Sequence, residues 1–287
     1  QEKYLQRAMI RAASDLVKAS YDETNDVIQT LWEFSNKADK LKDSVLVKDT
    51  NINGNTPLIA EDKIMTFQGR KILSIGHVCA LVAPPGTGKS QVCEAAAASI
   101  VNPYVDTLGF KIQKVSSGDN GVLYIDTERS KNDCIRGFNR ILNRVDVQTN
   151  KELLKKNGDL DGLTYRSFVE IADKKMRRVR IENYIRSGGF RVLILDGITD
   201  LIRDTNDIGE AGDVVSWLIS LANLYSIGVF VTIHDNPVNG QTKPRGHIGS
   251  ELYRKVEGML LLRRSMEDKD MRNLTTDFNF GKVRNEK

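Results

Sequence analysis

Between Ala83 and Gln91 the chain reads Ala83-Pro84-Pro85-Gly86-Thr87-Gly88-Lys89-Ser90-Gln91, preceded by the apolar run VCALV and followed by the helical run VCEAAAASI. Glycines at this spacing let the backbone curl so that successive N–H groups converge on one site, and the positive end of the following helix adds to the field there. Such a loop cradles nucleotide phosphates. Lys89 then reaches the β- and γ-phosphates, and the Ser90 hydroxyl ligates Mg²⁺. Ala83 stands where the pattern usually begins with Gly. An ordinary tight turn between a strand and a helix has no use for Lys89.

Two further apolar runs end in acids. Residues 122–128 read VLYIDTE and residues 191–196 read RVLILD, so each run delivers a carboxylate to a strand's C-terminal edge, where ligands sit in open α/β sheets. Asp196 suits Mg²⁺ coordination through water, and Glu128 suits the general base that polarises an attacking water. Asp126 reads as a cap for the helix that follows. The tetrad Asn36-Lys37-Ala38-Asp39 matches a guanine-reading pattern, but it precedes the phosphate loop and falls within a helical stripe, where no base-reading loop would sit. ATP is therefore the expected nucleotide, with Mg²⁺.

The elements that hold these groups follow from the hydrophobic pattern. Val78–Val82, Val122–Ile125, Val192–Leu195 and Val229–Ile233 are short continuous apolar runs, as expected of strands buried on both faces of a parallel sheet, and helical stretches separate them. The fold class expected is α/β, a mainly parallel twisted sheet flanked by helices. Residues 4–41 carry two helical stripes, and Val47–Pro57 reads as a linker, so a helical segment over 1–46 should precede a nucleotide-binding domain over 47–287. Residues 130–188 read as helical with no assigned role, residues 204–212 as an acidic loop, and residues 239–255 as a basic loop followed by a helix.

Composition excludes several classes. The 287 residues carry 42 Lys and Arg against 38 Asp and Glu, a net charge of +4, with 40% hydrophobic and 28% charged residues, an ordinary globular balance. No apolar run approaches the length of a membrane span, and the charged N-terminus lacks the centre of a signal peptide, so a cytoplasmic protein without membrane attachment is expected. Cys79, Cys93 and Cys134 have neither zinc-site spacing nor a disulfide framework, and read as reduced.

The order AxxxxGKS, YIDTE, LILDGITDL, VFVTIH resembles the RecA-like ATPases, and among them the DnaB-type hexameric replicative helicases and plasmid RepA-like ATPases. In that class the catalytic Glu follows the strand after the phosphate-loop helix, which matches Glu128. The resemblance implies more. His234, in VFVTIHDNP, takes the sensor position, where many members carry Gln. Lys243, Arg245 and His247, in NGQTKPRGHIG, fall on the loop that faces the central channel, where their donors would meet the backbone phosphates of single-stranded DNA. Arg284, assisted by Lys282 in FNFGKVRN, takes the place of the finger that completes a neighbouring subunit's site. The implied protein is the motor of a homo-oligomeric, hexameric DNA helicase ring, with a primase or other replication protein as a partner. The alternative is a non-motor ATPase: a recombinase-like filament, a helicase loader or a regulatory scaffold.

Overall fold

The computed structural model describes residues 52, 53, 55, 63–105, 108–112, 121–238, 241–268 and 270–276, with the backbone alone at 236–238 and 241–243. Two compact units divide the chain, Gln1–Ile59 and Ala60–Lys287, and every element below belongs to the second. The expected N-terminal helices, the boundary at residue 47, and Lys282 and Arg284 lie outside the described residues.

A mostly parallel sheet runs through this unit. Its strands are β3 (Val78–Ala83), β5 (Gly121–Asp126), β6 (Leu163–Ser167), β7 (Phe190–Asp196), β8 (Gly228–Val238), β10 (Gly258–Arg264) and β11 (Arg272–Thr275), in the order β11-β10-β3-β8-β7-β5-β6. All neighbours are parallel except β10 and β11. Among the described residues five helices flank it: α1 (Lys89–Val101), α2 (Lys131–Arg144), α3 (Lys174–Arg186), α4 (Ile208–Leu224) and α5 (Gly246–Lys255). A separate small sheet joins β1 (Lys63–Phe67), β2 (Arg70–Ser74) and β4 (Phe110–Ile112), and β9 (Gln241–Pro244) forms an antiparallel hairpin with β8. This is the α/β architecture of a RecA-like P-loop NTPase.

The apolar runs of β3, β5 and β7 are continuous because each strand has protein on both sides. Alternation sorts their side chains: Val78, Ala80, Val82, Leu123, Ile125, Leu193 and Leu195 pack with α3, α4 and α5, while Cys79, Leu81, Val122, Tyr124, Val192 and Ile194 pack with α1 and α2. Each large aliphatic side chain so buried contributes roughly 1.5–3 kcal/mol. Rigid strands are what hold the acids at their tips in place.

Three sequence expectations are corrected. The segment 130–188 is not helical throughout: Leu163–Ser167 forms β6, the outer strand of the sheet. The acidic loop ends early, because Asp207 caps α4 by accepting the Glu210 N–H at 2.8 Å, so residues 208–212 are its first turn. The basic loop is largely strand, since β8 continues through Pro237 and pairs with β9. The three cysteines are free and buried, and burial pushes their thiols up. Among the described residues, no helix is long and apolar enough to cross a membrane.

Candidate active site

The phosphate loop leaves β3 at the C-terminal edge of the sheet, between the tips of β8 and β10. Gly88, at φ 103, is the N-cap of α1, and no side chain caps that helix. Its first amides are therefore left for an anion, which the macrodipole favours. Lys89 is buried, and burial lowers its pKa while the charges of Glu128 and Asp196 oppose that shift.

Lys89 Nζ lies 2.8 Å from His234 Nδ1. An ammonium carries only donors, so Nδ1 is the acceptor and the ring proton sits on Nε2, which faces Glu128 Oε1 at 3.6 Å. Lys89, His234 and Glu128 thus form one chain of contacts across the start of α1, β8 and the turn after β5, with the Glu128 side chain still 38% exposed to solvent. An acid so placed is open to solvent, which lets it reach a water molecule.

Asp196 ends β7 in a buried position. Its Oδ1 accepts from the Thr232 hydroxyl at 2.9 Å and its Oδ2 from the Tyr124 hydroxyl at 3.0 Å. Burial pushes its carboxyl above the ordinary range, and the hydrogen bond from the Ser90 side chain pulls the other way. Ser90 and Asp196 are therefore adjacent, a hydroxyl and a buried carboxylate, with the Arg129 guanidinium 3.8 Å from Oδ2. That pair fits Mg²⁺, which takes one or two protein oxygens and completes its shell with substrate phosphates and water. Bound there, the ion would supply charge neutralisation for the leaving phosphate. Among the described residues, no group of three His, Cys, Asp or Glu side chains could hold a metal unaided.

Asp126 caps a turn, not the next helix: its Oδ1 accepts the N–H groups of Glu128 and Arg129 at 3.2 and 3.0 Å, while Ser130 is the N-cap of α2. This fixes the backbone that carries Glu128. Arg129 anchors the same turn, reaching Asp126 Oδ2 at 2.6 Å, Glu94 Oε1 at 2.8 Å and the Tyr165 hydroxyl at 2.8 Å. Burial opposes its charge, but Tyr124, Asp126, Tyr165 and Glu94 outweigh that and hold the guanidinium protonated above its ordinary value. Glu94, fully buried on α1, also takes two hydrogen bonds from Arg140 of α2, so the phosphate-loop helix is tied to the turn bearing the candidate base. Removing one member of such a buried pair leaves an uncompensated charge. Glu94, Arg129, Tyr124 and Thr232 carried no role in the sequence reading, although a lone acid inside EAAAASI is itself a sign of buried pairing.

The expected residues are thus partly assembled. Residues 83–91, Glu128, Asp196 and His234 converge at the tips of β3, β5, β7 and β8. Arg245 and His247 are exposed at the start of α5, and Lys243 pairs with Asn236 in the hairpin. Gly197 closes the site from beneath: it adopts φ 109, and a Cβ there would overlap the Thr127 hydroxyl and lie 2.9 Å from Glu128 Cγ. Gly197→Ala should therefore cost about 1–3 kcal/mol of stability and lower kcat for ATP more than it weakens nucleotide binding. Denaturant unfolding and steady-state turnover check this, and full turnover in the variant would contradict it.

Residues 68–239 match the AAA domain family AAA_25. A search of curated proteins found no match. The matched span takes in the phosphate loop, Glu128, Asp196 and His234, and it covers more than half of the chain. The chain accordingly belongs to the AAA domain family, as a nucleotide-binding P-loop ATPase domain.

Proposed function

We propose that this ATPase domain is the motor of a homo-hexameric ring that translocates on single-stranded DNA and unwinds duplex in replication. One observation carries the reading: β8 runs without interruption from His234, which touches Lys89, into the hairpin that bears Lys243, and the Arg245 N–H donates back to the His234 carbonyl at 2.9 Å. A change at the γ-phosphate is felt by Lys89 and His234, and a continuous strand passes it to a basic hairpin. The His247 N–H, at 2.8 Å from the Thr205 carbonyl, links the start of α5, which follows that hairpin, to the loop before α4. Lys243, Arg245 and His247 would meet DNA phosphates, Glu128 would activate water, and Arg284 with Lys282 would complete the neighbour's site.

ATP turnover with and without single-stranded DNA, and unwinding of a forked duplex, test this. Turnover should rise with DNA. Lys243→Ala and Arg245→Ala should weaken binding to all sequences and each reduce the slope of log affinity against log salt by about one. Intact basal turnover with no response to DNA would sink the motor reading in favour of a regulatory ATPase, and filaments instead of closed rings in electron micrographs would favour a recombinase-like assembly.

A further inference from the structure

The outer face of the phosphate loop is held by two arginines that lie beyond residues 68–239. Arg264 Nη2 donates to the Gly86 carbonyl at 3.1 Å, and Arg272 Nε donates to the Thr87 carbonyl at 3.2 Å. Their placement follows from the sheet. Strand β10 runs parallel to β3 with Leu261 beside Val82, so Arg264, three residues on, lies alongside the start of the loop; β11 returns antiparallel with Arg272 opposite Arg264. The neighbouring Arg263 reaches instead to Asp235 Oδ2 at 2.5 Å. The two arginines on the loop therefore act on backbone.

What they do to it follows from the peptide unit. In a planar trans peptide the C=O of one residue and the N–H of the next point in opposite directions. Drawing the Gly86 carbonyl outward to Arg264 turns the Thr87 N–H inward, and drawing the Thr87 carbonyl outward to Arg272 does the same for the Gly88 N–H. Gly86 and Gly88, at φ 68 and 103, flank these peptides, and glycine gives up little energy when a peptide plane flips. A loop with two such hinges needs something to select one orientation before phosphate arrives. A guanidinium also polarises the peptide it bonds, which strengthens the opposite N–H as a donor.

We infer that Arg264 and Arg272 are positioning residues that pre-orient the Thr87 and Gly88 amides toward nucleotide phosphate by clamping the carbonyls on the loop's outer face. The clamp acts before binding. Once a triphosphate is seated, its own oxygens order the amides, so the arginines govern affinity and leave the chemical step nearly unchanged.

The test measures Mg·ATP affinity by calorimetry, without DNA, on the full chain and on Arg264→Ala, Arg272→Ala, the double variant, and Arg264→Lys and Arg272→Lys. Each alanine variant should weaken Kd and raise KM on the order of tenfold, as expected for loss of a hydrogen bond from a charged donor, while kcat at saturating ATP changes less than about twofold. Each lysine variant, which keeps one charged donor of similar reach, should recover most of the loss. The thermal midpoint without nucleotide should fall by a few degrees at most, since the same bonds are lost from the nucleotide-free fold, and every variant should remain folded at the assay temperature. Unchanged Kd in the double variant would overturn the inference, as would lysine variants as weak as the alanine ones, or a fall in kcat with Kd intact, which would mean direct contact with the reacting phosphoryl. Because DNA is absent from these measurements, the outcome does not depend on whether the chain is a helicase motor.

Discussion

Replacing Glu128 by Gln lowers kcat for ATP hydrolysis by about 10²–10⁴-fold while leaving Mg·ATP affinity unchanged, the loss expected when a general base is removed without disturbing its site. Gln keeps the shape of the side chain, its approach to His234 and its fit over Gly197, but its amide cannot take a proton from water. The backbone at this position is set independently by the Asp126 hydrogen bonds, so the substitution should not release the turn. Single-turnover phosphate release, with nucleotide binding measured in parallel, separates the two effects. A second acid stands nearby: Asp200 Oδ2 accepts from the Thr127 hydroxyl at 3.0 Å, and burial raises its pKa, with the Thr127 hydrogen bond opposing and the Glu128 charge adding. If Glu128→Gln kept turnover within about tenfold of the parent and Asp200→Asn did not, the base would be Asp200 and the relay through His234 would have no catalytic meaning.

The contrast between Glu128 and its supports shows which parts of this site a sequence can carry. Parallel strands covered on both faces must be apolar at every position, so β3, β5, β7 and the first half of β8 stood out, and the polar residues ending each run marked the edge where ligands bind. The phosphate loop was legible because its glycines, Lys89 and Ser90 are contiguous. The partners of Asp196 were not, since Tyr124 and Thr232 come from strands on either side of β7, and only sheet order reveals that neighbourhood. Strand β6 was missed because LTYRS is half-exposed and writes no apolar run. Nothing in Asp235-Asn236-Pro237 signalled a continuing strand, since those residue types favour turns. Here the segment is strand because β9 supplies antiparallel pairing outside the main sheet. Arg264 and Arg272 resemble any charged pair on an outer strand, and their targets are backbone carbonyls far away in sequence.

If ATP sits between subunits, two inactive chains should restore each other. Lys89→Ala removes the phosphate-loop ammonium, and Arg284→Ala removes the finger, a change expected to lower kcat about 10³–10⁵-fold. Each variant alone builds a ring in which every interface lacks one group. In a head-to-tail ring the loop and the finger at one interface belong to different chains, so an equal mixture gives an intact loop facing an intact finger at about a quarter of interfaces. Turnover should therefore rise from near zero to a maximum at equal mixing and fall away on both sides. The shape of that curve matters more than its height, because subunits that must fire in sequence would depress the peak without shifting it. A finger that served its own subunit would give no rise at any ratio. A flat response, with co-assembly demonstrated by differently labelled chains in one particle, would remove Arg284 from its role and leave Lys282 as the candidate to neutralise the developing charge.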